Sequence, residues 1–327
     1  MVVNLKQKIS IYAHAAVGGK EEYDGPLGKS LDYHDNNDRF SQDSWEKAES
    51  EMQRIACNLA MAKAGEEEPQ LLLAGDLMNQ CTSSSFGLGG FEKPFLGLYG
   101  ACSTCAEGIL LGSLLCDGSV DRAGLVTSSH FCSAERQFRY PLEYGCQKPP
   151  TAQHTATASG AFFLRRGEGV AQVKRVCIGR ISDGGVTDAN NMGAAMAPAA
   201  VDTLHRFFSC TNTRPADYDG IFTGDLGFEG HRIVCDLMSE LGYDMGAHYT
   251  DCGLLIYDRK AQDMHAGGSG CGCSAMVLST HILPEIEAGR LHNVLFMGTG
   301  ALMSPSSVQQ GLAISGIGHL IHLTKGN

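Results

Sequence analysis

Apolar positions recur at two periods along this 327-residue chain, and their alternation predicts its architecture. Residues 44–64 place Trp45, Ala48, Met52, Ile55, Leu59 and Ala62 at alternating steps of three and four, which puts them on one helix face. Asp43 and Glu46 are spaced for a capping box at its start, and Gly65 supplies a stop. A polar loop follows, then the short apolar run "LLLAGDL" at 71–77. The same succession returns later. "AAMAPAAVDTLHRFF" carries a helical pattern through Val201, Leu204, Phe207 and Phe208, and a polar loop leads to "GIFTGDL" at 220–226. Helix, loop, short buried strand and Gly-Asp-Leu form one unit written twice.

A second echo supports the first. The segments beginning "GACSTCAEG" and "GGSGCGCSA" both read as tight turn, helix, polar turn and strand. Short apolar runs separated by helical patterns imply a parallel or mixed sheet with crossover helices. The expected class is α/β, with two similar halves, residues 1–168 and 169–327. "ATASGAFFL" (156–164) closes the first half and "VKRVCIGRIS" (173–182) opens the second.

Composition narrows the function. Twenty-five basic against thirty-six acidic residues give a net charge of −11. Without a basic excess there is little to displace counterions from a phosphate backbone, so nucleic acid is not an expected partner. The N-terminus lacks the apolar core of a signal peptide, and no stretch reaches bilayer-spanning length. Thirteen cysteines, an odd count in a long chain, favour free thiols in a reducing, intracellular setting.

Cys102 follows an apolar run and opens a helical one. Such a turn aims N–H groups and the positive end of a helix dipole at one point, favouring a thiolate or a bound carboxylate. A buried structural cysteine fits the spacing equally well. Cys102 and Cys105 also face Cys271 and Cys273 in the matching element, but a C-x-C pair is an unusual zinc chelate. "GPLGKS" fails as a phosphate loop because Tyr23 stands where its first glycine is required. Of the two Gly-Asp-Leu carboxylates, Asp76 is expected to tie its loop and Asp225 to reach a pocket. His231, just beyond the second turn, is the histidine best placed to assist Cys102. The segment 134–150, with Arg136, Arg139 and Lys148 among aromatics and prolines, suits a lid, a subunit contact or an anion clamp.

Paired halves with a cysteine in "GACST" resemble the thiolase superfamily, especially its β-ketoacyl-carrier-protein synthases. The resemblance is closer to the stage V sporulation protein AD family. It rests on "DGPLG" (24–28), "LLLAGDLMNQ" (71–80), "GACST" (100–104), "TSSH" (127–130), "AERQFRYPLEYGCQKP" (134–149), "MGAAMAPAA" (192–200), "DCGLLIY" (251–257), "AGGSGCGCSA" (266–275) and "GTGALMSP" (298–305). It implies a layered α-β-α-β-α thiolase-like fold and a homodimer. It also implies a non-catalytic subunit that binds dipicolinate (pyridine-2,6-dicarboxylate). That subunit belongs to the complex, peripheral to the inner spore membrane of a spore-forming bacterium, that takes up dipicolinate in sporulation and releases it at germination. The other membrane subunits of that complex are its expected partners.

Carried over residue by residue, the synthase nucleophile falls on Cys102. The first catalytic histidine falls at or beside Gly224, and the second histidine or asparagine falls at Ser269 if Gly268 and Gly272 are its flanking glycines. Condensation needs donors on the developing oxyanion and enolate, and losing one costs on the order of a hundredfold in rate. Losing both points away from catalysis; the alternative is an active acyltransferase or β-ketoacyl synthase using Cys102. The pocket expected for the ligand comprises Cys102, Ser103, Asp225, His231, Gly268, Ser269 and Gly270. No metal site and no cofactor are expected of the chain itself, and calcium enters only as a companion of the ligand, where Asp225 is the expected oxygen ligand.

Overall fold

The computed structural model describes residues 1–138 and 148–326. Its centre is a mixed sheet of eleven strands. Ten of them, in chain order, are β1 (Val2–Gly18), β2 (Leu71–Gly75), β3 (Phe95–Gly97), β4 (Arg122–Ser129), β5 (Ala158–Arg166), β6 (Ala171–Cys177), β7 (Gly220–Thr223), β8 (Tyr249–Asp251), β9 (Asn293–Leu302) and β10 (Ser315–Lys325). Across the sheet they run β8-β7-β9-β10-β6-β1-β5-β4-β2-β3. The order is its own mirror image about the β6–β1 pair. The pairings match too: β3, β2 and β4 are parallel, as are β8, β7 and β9, and the four strands between them are antiparallel to their neighbours.

The sheet wraps around two short central helices, α2 (Thr104–Gly118) and α5 (Cys271–Val277), one from each half. Helix α1 (Trp45–Ala64) covers the outer face of the first run, and α3 (Met192–Thr211) with α4 (Gly227–Glu240) covers the second. These are the five expected layers. Strand side chains alternate between them. Leu73, Leu125 and Phe162 face the central helices, while Leu72, Val126 and Phe163 face α1. In the second run Phe222, Phe296 and Ile321 point inward, and Ile221, Leu295 and Leu320 point to α3. Because both faces are covered, the strands read as continuous apolar runs rather than alternating ones.

Helix α1 shows what patterning missed. Its buried face carries Ala48, Met52, Ala56 and Ala60, but also Glu49 and Gln53, while Ile55 and Leu59 are only half-buried. Its cap is Ser44, which accepts from the Lys47 N–H at 3.3 Å; Asp43 instead pairs with the Lys47 ammonium at 2.8 Å. Gly65 closes the helix at a φ of +65°.

Candidate functional site

The Cys102 turn is fixed by close contacts that leave little choice of residue. Ala101 sits at a φ of +51°, a left-handed conformation that non-glycine residues adopt at some cost. Ser103 donates through Oγ to the Gly100 carbonyl at 2.7 Å and is fully buried. Strand β9 presses against this turn. A Cβ at Gly298 would lie 2.9 Å from the Ser103 carbonyl, and one at Gly300 would lie 2.4 Å from the Gly100 carbonyl. The glycines of "GTG" let the strand approach, and Thr299 between them turns its hydroxyl to Asp225 at 2.9 Å.

Asp225 is the hub behind the thiol. It is wholly buried. Besides Thr299 it accepts from Ser269 Oγ at 3.1 Å and the Gly270 N–H at 2.8 Å, and its carboxylate also draws on the Cys102 thiol. Burial raises its pKa against the pull of those donors. Gly270 can reach it because its φ is +101° and because a Cβ there would stand 2.4 Å from Ser129 Oγ; only glycine suits both conditions.

The consequence for Cys102 is direct. Burial first, and the Asp225 carboxyl second, hold its thiol well above the ordinary range. A thiol nucleophile is activated by the opposite surroundings, a cation or an imidazole that favours thiolate. At the expected histidine position, a Cβ on Gly224 would already lie 3.1 Å from the Thr299 nitrogen and 3.3 Å from the Met297 carbonyl. Strand β9 packs tightly against this position.

A cavity of about 440 Å³ opens at Cys102. Asp76, Tyr99, Ala101, Glu135, Gln153, Thr155, Met192, Ser269 and Met303 contribute to its wall. The structure therefore brings together Cys102 and Ser269 on the wall, with Asp225 and Gly270 immediately behind it. Gly268 also lies behind the wall, where its carbonyl accepts from Gln153 Nε2 at 2.8 Å. Ser103 is turned into its own tight turn and does not line the cavity. His231 is elsewhere: it stacks on Tyr249 with ring centroids 4.5 Å apart, and burial lowers its pKa. The α4 helix turns it toward β8, so it does not face the thiol.

Two further placements depart from the sequence reading. Asp76 does tie its loop, accepting from the Met78 N–H at 2.9 Å and from Ser84 N–H and Oγ at 2.9 and 2.6 Å, yet it also lines the cavity. Asp225 instead binds Ser269, Gly270 and Thr299 and does not line the cavity; its turn is tied by Asp251, which accepts from the Leu226 and Gly227 N–H groups, each at 2.9 Å. The Asp225 oxygens are taken by donors, so it is not placed as a calcium ligand. Among the described residues no group of three or more His, Cys, Asp or Glu side chains is placed to hold a metal ion, and Cys102, Cys105, Cys271 and Cys273 are separate buried thiols.

Sequence reasoning also missed Gln153. It stands beside a two-residue parallel ladder in which His154 pairs with Gly268 and Thr155 with Ser269, so a residue remote in sequence reaches the Cys102 wall. A lone glutamine after a Pro-rich segment carries no periodic signal. From the 134–150 segment, Arg136 pairs with Glu46 at 3.0 Å and Lys148 with Glu135 at 3.5 Å; Arg139 lies outside the described residues.

Comparison with known proteins follows the same lines. A crystal structure of a single-residue variant of Xanthomonas campestris OleA superposes with a TM-score of 0.61 at 15% identity, covering 98% of this chain and 100% of that one. The 3-oxoacyl-[acyl-carrier-protein] synthase III of Aquifex aeolicus VF5 gives 0.58 at 12% identity, covering 97% and 99%. At such identities the likeness establishes the thiolase-like fold. Stage V sporulation protein AD of Bacillus subtilis (strain 168) is 44% identical over 314 residues, 95% of this chain and 93% of that protein. The family model for stage V sporulation protein AD matches residues 1–324, and the chain belongs to that family of sporulation proteins.

Proposed function

We propose that this chain binds dipicolinate without transforming it, in the cavity beside Cys102. We further propose that it serves as a peripheral subunit of the inner-membrane complex that moves dipicolinate into the spore and out again. The observation that supports the non-catalytic part is the buried carboxyl of Asp225 beside the Cys102 thiol, together with Gly224 and Ser269 at the positions where the resemblance puts catalytic partners. A cavity of about 440 Å³ is within the usual range for a small ligand. The choice of dipicolinate rests on the family. Among the described residues no helix is long and apolar enough to cross a membrane, which suits attachment through partner subunits.

The ligand's charge constrains how it enters. Asp76 and Glu135 line the cavity, and no lysine or arginine does so among the described residues. Lys148 offsets Glu135, which leaves Asp76 to disfavour a bare dianion and favours its arrival with a cation such as calcium or with a proton. Titration calorimetry and thermal shift with dipicolinate, with and without calcium, test the reading. Saturable heat and a raised melting temperature are expected; no response in either buffer removes it.

We also propose a homodimer through the free edge of β3. Phe95, Leu96 and Gly97 are all exposed there, with Phe86 and Tyr99 nearby in sequence and exposed too. A strand edge with unpaired N–H and C=O groups and apolar side chains is a template for a second strand, and a second copy supplies the same edge across a two-fold axis. Light scattering on Leu96→Lys is expected to report monomer where the parent chain reports dimer. The competing function is acyl transfer from Cys102, favoured by the retained cysteine at the helix start.

A further inference from the structure

The wall beside Cys102 has its donors turned inward. Ser269 gives its hydroxyl proton to Asp225, the Gly270 N–H points to the same carboxylate, and the Cys102 thiol joins them. What Ser269 keeps toward the cavity is acceptor, its lone pairs, on a lining shared with the Asp76 and Glu135 carboxylates and with the polar groups of Asn79, Tyr99, Thr155 and Asn190.

Gln153 completes this wall. Its Nε2 donates to two backbone carbonyls, Asp225 at 2.6 Å and Gly268 at 2.8 Å. Two carbonyls on one side fix which end of the amide is nitrogen, because the reverse placement would set oxygen against oxygen. Both N–H groups are thereby used. Gln153 lines the cavity and is only 5% exposed, and its Oε1 has no hydrogen-bond partner. A buried amide oxygen without a donor is uncommon in a folded chain and points to a missing partner.

We propose that Gln153 Oε1 accepts a hydrogen bond from the ligand, so that the cavity selects a small carboxylic acid or amide carrying a donor rather than the fully ionised carboxylate. This rests on the dipicolinate reading given above. For that ligand it means the singly protonated form, which brings its proton on a ring nitrogen or a carboxyl. The proton is drawn from solution or from the ligand's own minor protonated population, and no bond to carbon changes. Titratable groups facing the cavity are Asp76, Tyr99, Cys102 and Glu135, with Asp225 behind the wall and Lys148 paired to Glu135.

The test uses the whole protein and two probes, dipicolinate and pyridine-2,6-dicarboxamide, which carries N–H donors at every pH. Calorimetry in two buffers of different ionisation enthalpy counts protons. One proton taken up per dipicolinate is expected well above the ligand's own pKa, with affinity falling about tenfold per pH unit there. The diamide is expected to bind with no proton uptake and no pH slope. Gln153→Met is expected to weaken both probes about tenfold or more, the size of one hydrogen bond. The proton count and the diamide comparison need no variant, so they decide even where Gln153→Met fails to fold. Dipicolinate binding that takes up calcium and no proton overturns the inference and leaves the binding reading standing. Proton uptake that persists with unchanged affinity in folded Gln153→Met assigns the proton to Asp76 or Glu135 and overturns the role of Gln153. Absence of binding by dipicolinate in any buffer overturns the binding reading itself, and the inference with it.

Discussion

The two Gly-Asp-Leu turns occupy equivalent places in a mirrored sheet, at the ends of β2 and β7, and their carboxylates do different work. Asp76 is held by its own loop, with donors from Met78 and Ser84, only two and eight residues on. Asp225 gathers donors from Ser269, Gly270 and Thr299, more than forty residues away. The first carboxylate stays on the cavity wall. The second is enclosed, and it sets the state of Cys102. A duplicated unit fixes where a side chain begins; what the rest of the chain brings opposite it decides what that side chain becomes.

The sharpest way to break this comparison is to remove each carboxylate. Asp225→Ala strands three donors in a dry interior and is expected to cost about 4 kcal/mol of unfolding free energy, given the penalty per unsatisfied buried group. Asp76→Ala frees donors beside a cavity that water can enter and is expected to cost about 2 kcal/mol. Urea denaturation of both checks the order. A larger loss at Asp76 would mean that the enclosed hub is not the one holding the fold.

A smaller effect distinguishes the turns by pH. The Asp76 turn connects through Ser84, Gln53 and Ser128 to Glu49, with hydrogen bonds of 2.6, 3.0, 2.7 and 2.8 Å. Burial, then the Asp76 charge, pushes Glu49 above the usual glutamate range. A carboxyl raised in the folded state holds a proton that the unfolded chain has released. Its stabilising share is thus complete below the ordinary glutamate value and is lost as pH rises through the folded value. His14 and His319 act on the acid side: burial lowers both to about 4, so their share is lost as pH falls from the ordinary histidine value toward that point. Above roughly pH 6.5, the ordinary histidine value, the histidines no longer contribute and stability is expected to decline. Glu49→Gln keeps the acceptor and removes the titration, so its melting temperature is expected to decline less steeply across roughly pH 6.5–8.5. An unchanged slope would remove Glu49 from the explanation.

Much of the architecture was legible in the order of apolar runs, because helices and parallel strands each leave a local signal. The duplicated unit, α1, and the strands β2, β4, β5, β7 and β9 all fall where the patterns place them. The two long strands β1 and β10 were not recognised. In β1 the run Asn4–Ser10 mixes Lys6, Gln7 and Lys8 with apolar residues near the sheet end, and in β10 His319 and His322 interrupt the pattern. Of the candidate site, Cys102 and Ser269 lie in short motifs that could be read locally, and both line the cavity. Gln153, Thr299 and the place of Asp76 on the cavity wall were not legible in this way, since each acquires its role through contacts with residues far along the chain. His231 was placed by sequence proximity to the Gly-Asp-Leu turn, and helix α4 carries it away from the thiol.

The most direct test concerns Cys102 itself. Intact-mass measurement after incubation with acyl-thioesters of several chain lengths reports whether the thiol ever acts as a nucleophile. With Asp225 beside it and no histidine among the described residues that line its cavity, no adduct is expected on the parent chain at neutral pH. A stable acyl adduct that disappears in Cys102→Ser would contradict the proposed non-catalytic role and favour acyl transfer from Cys102.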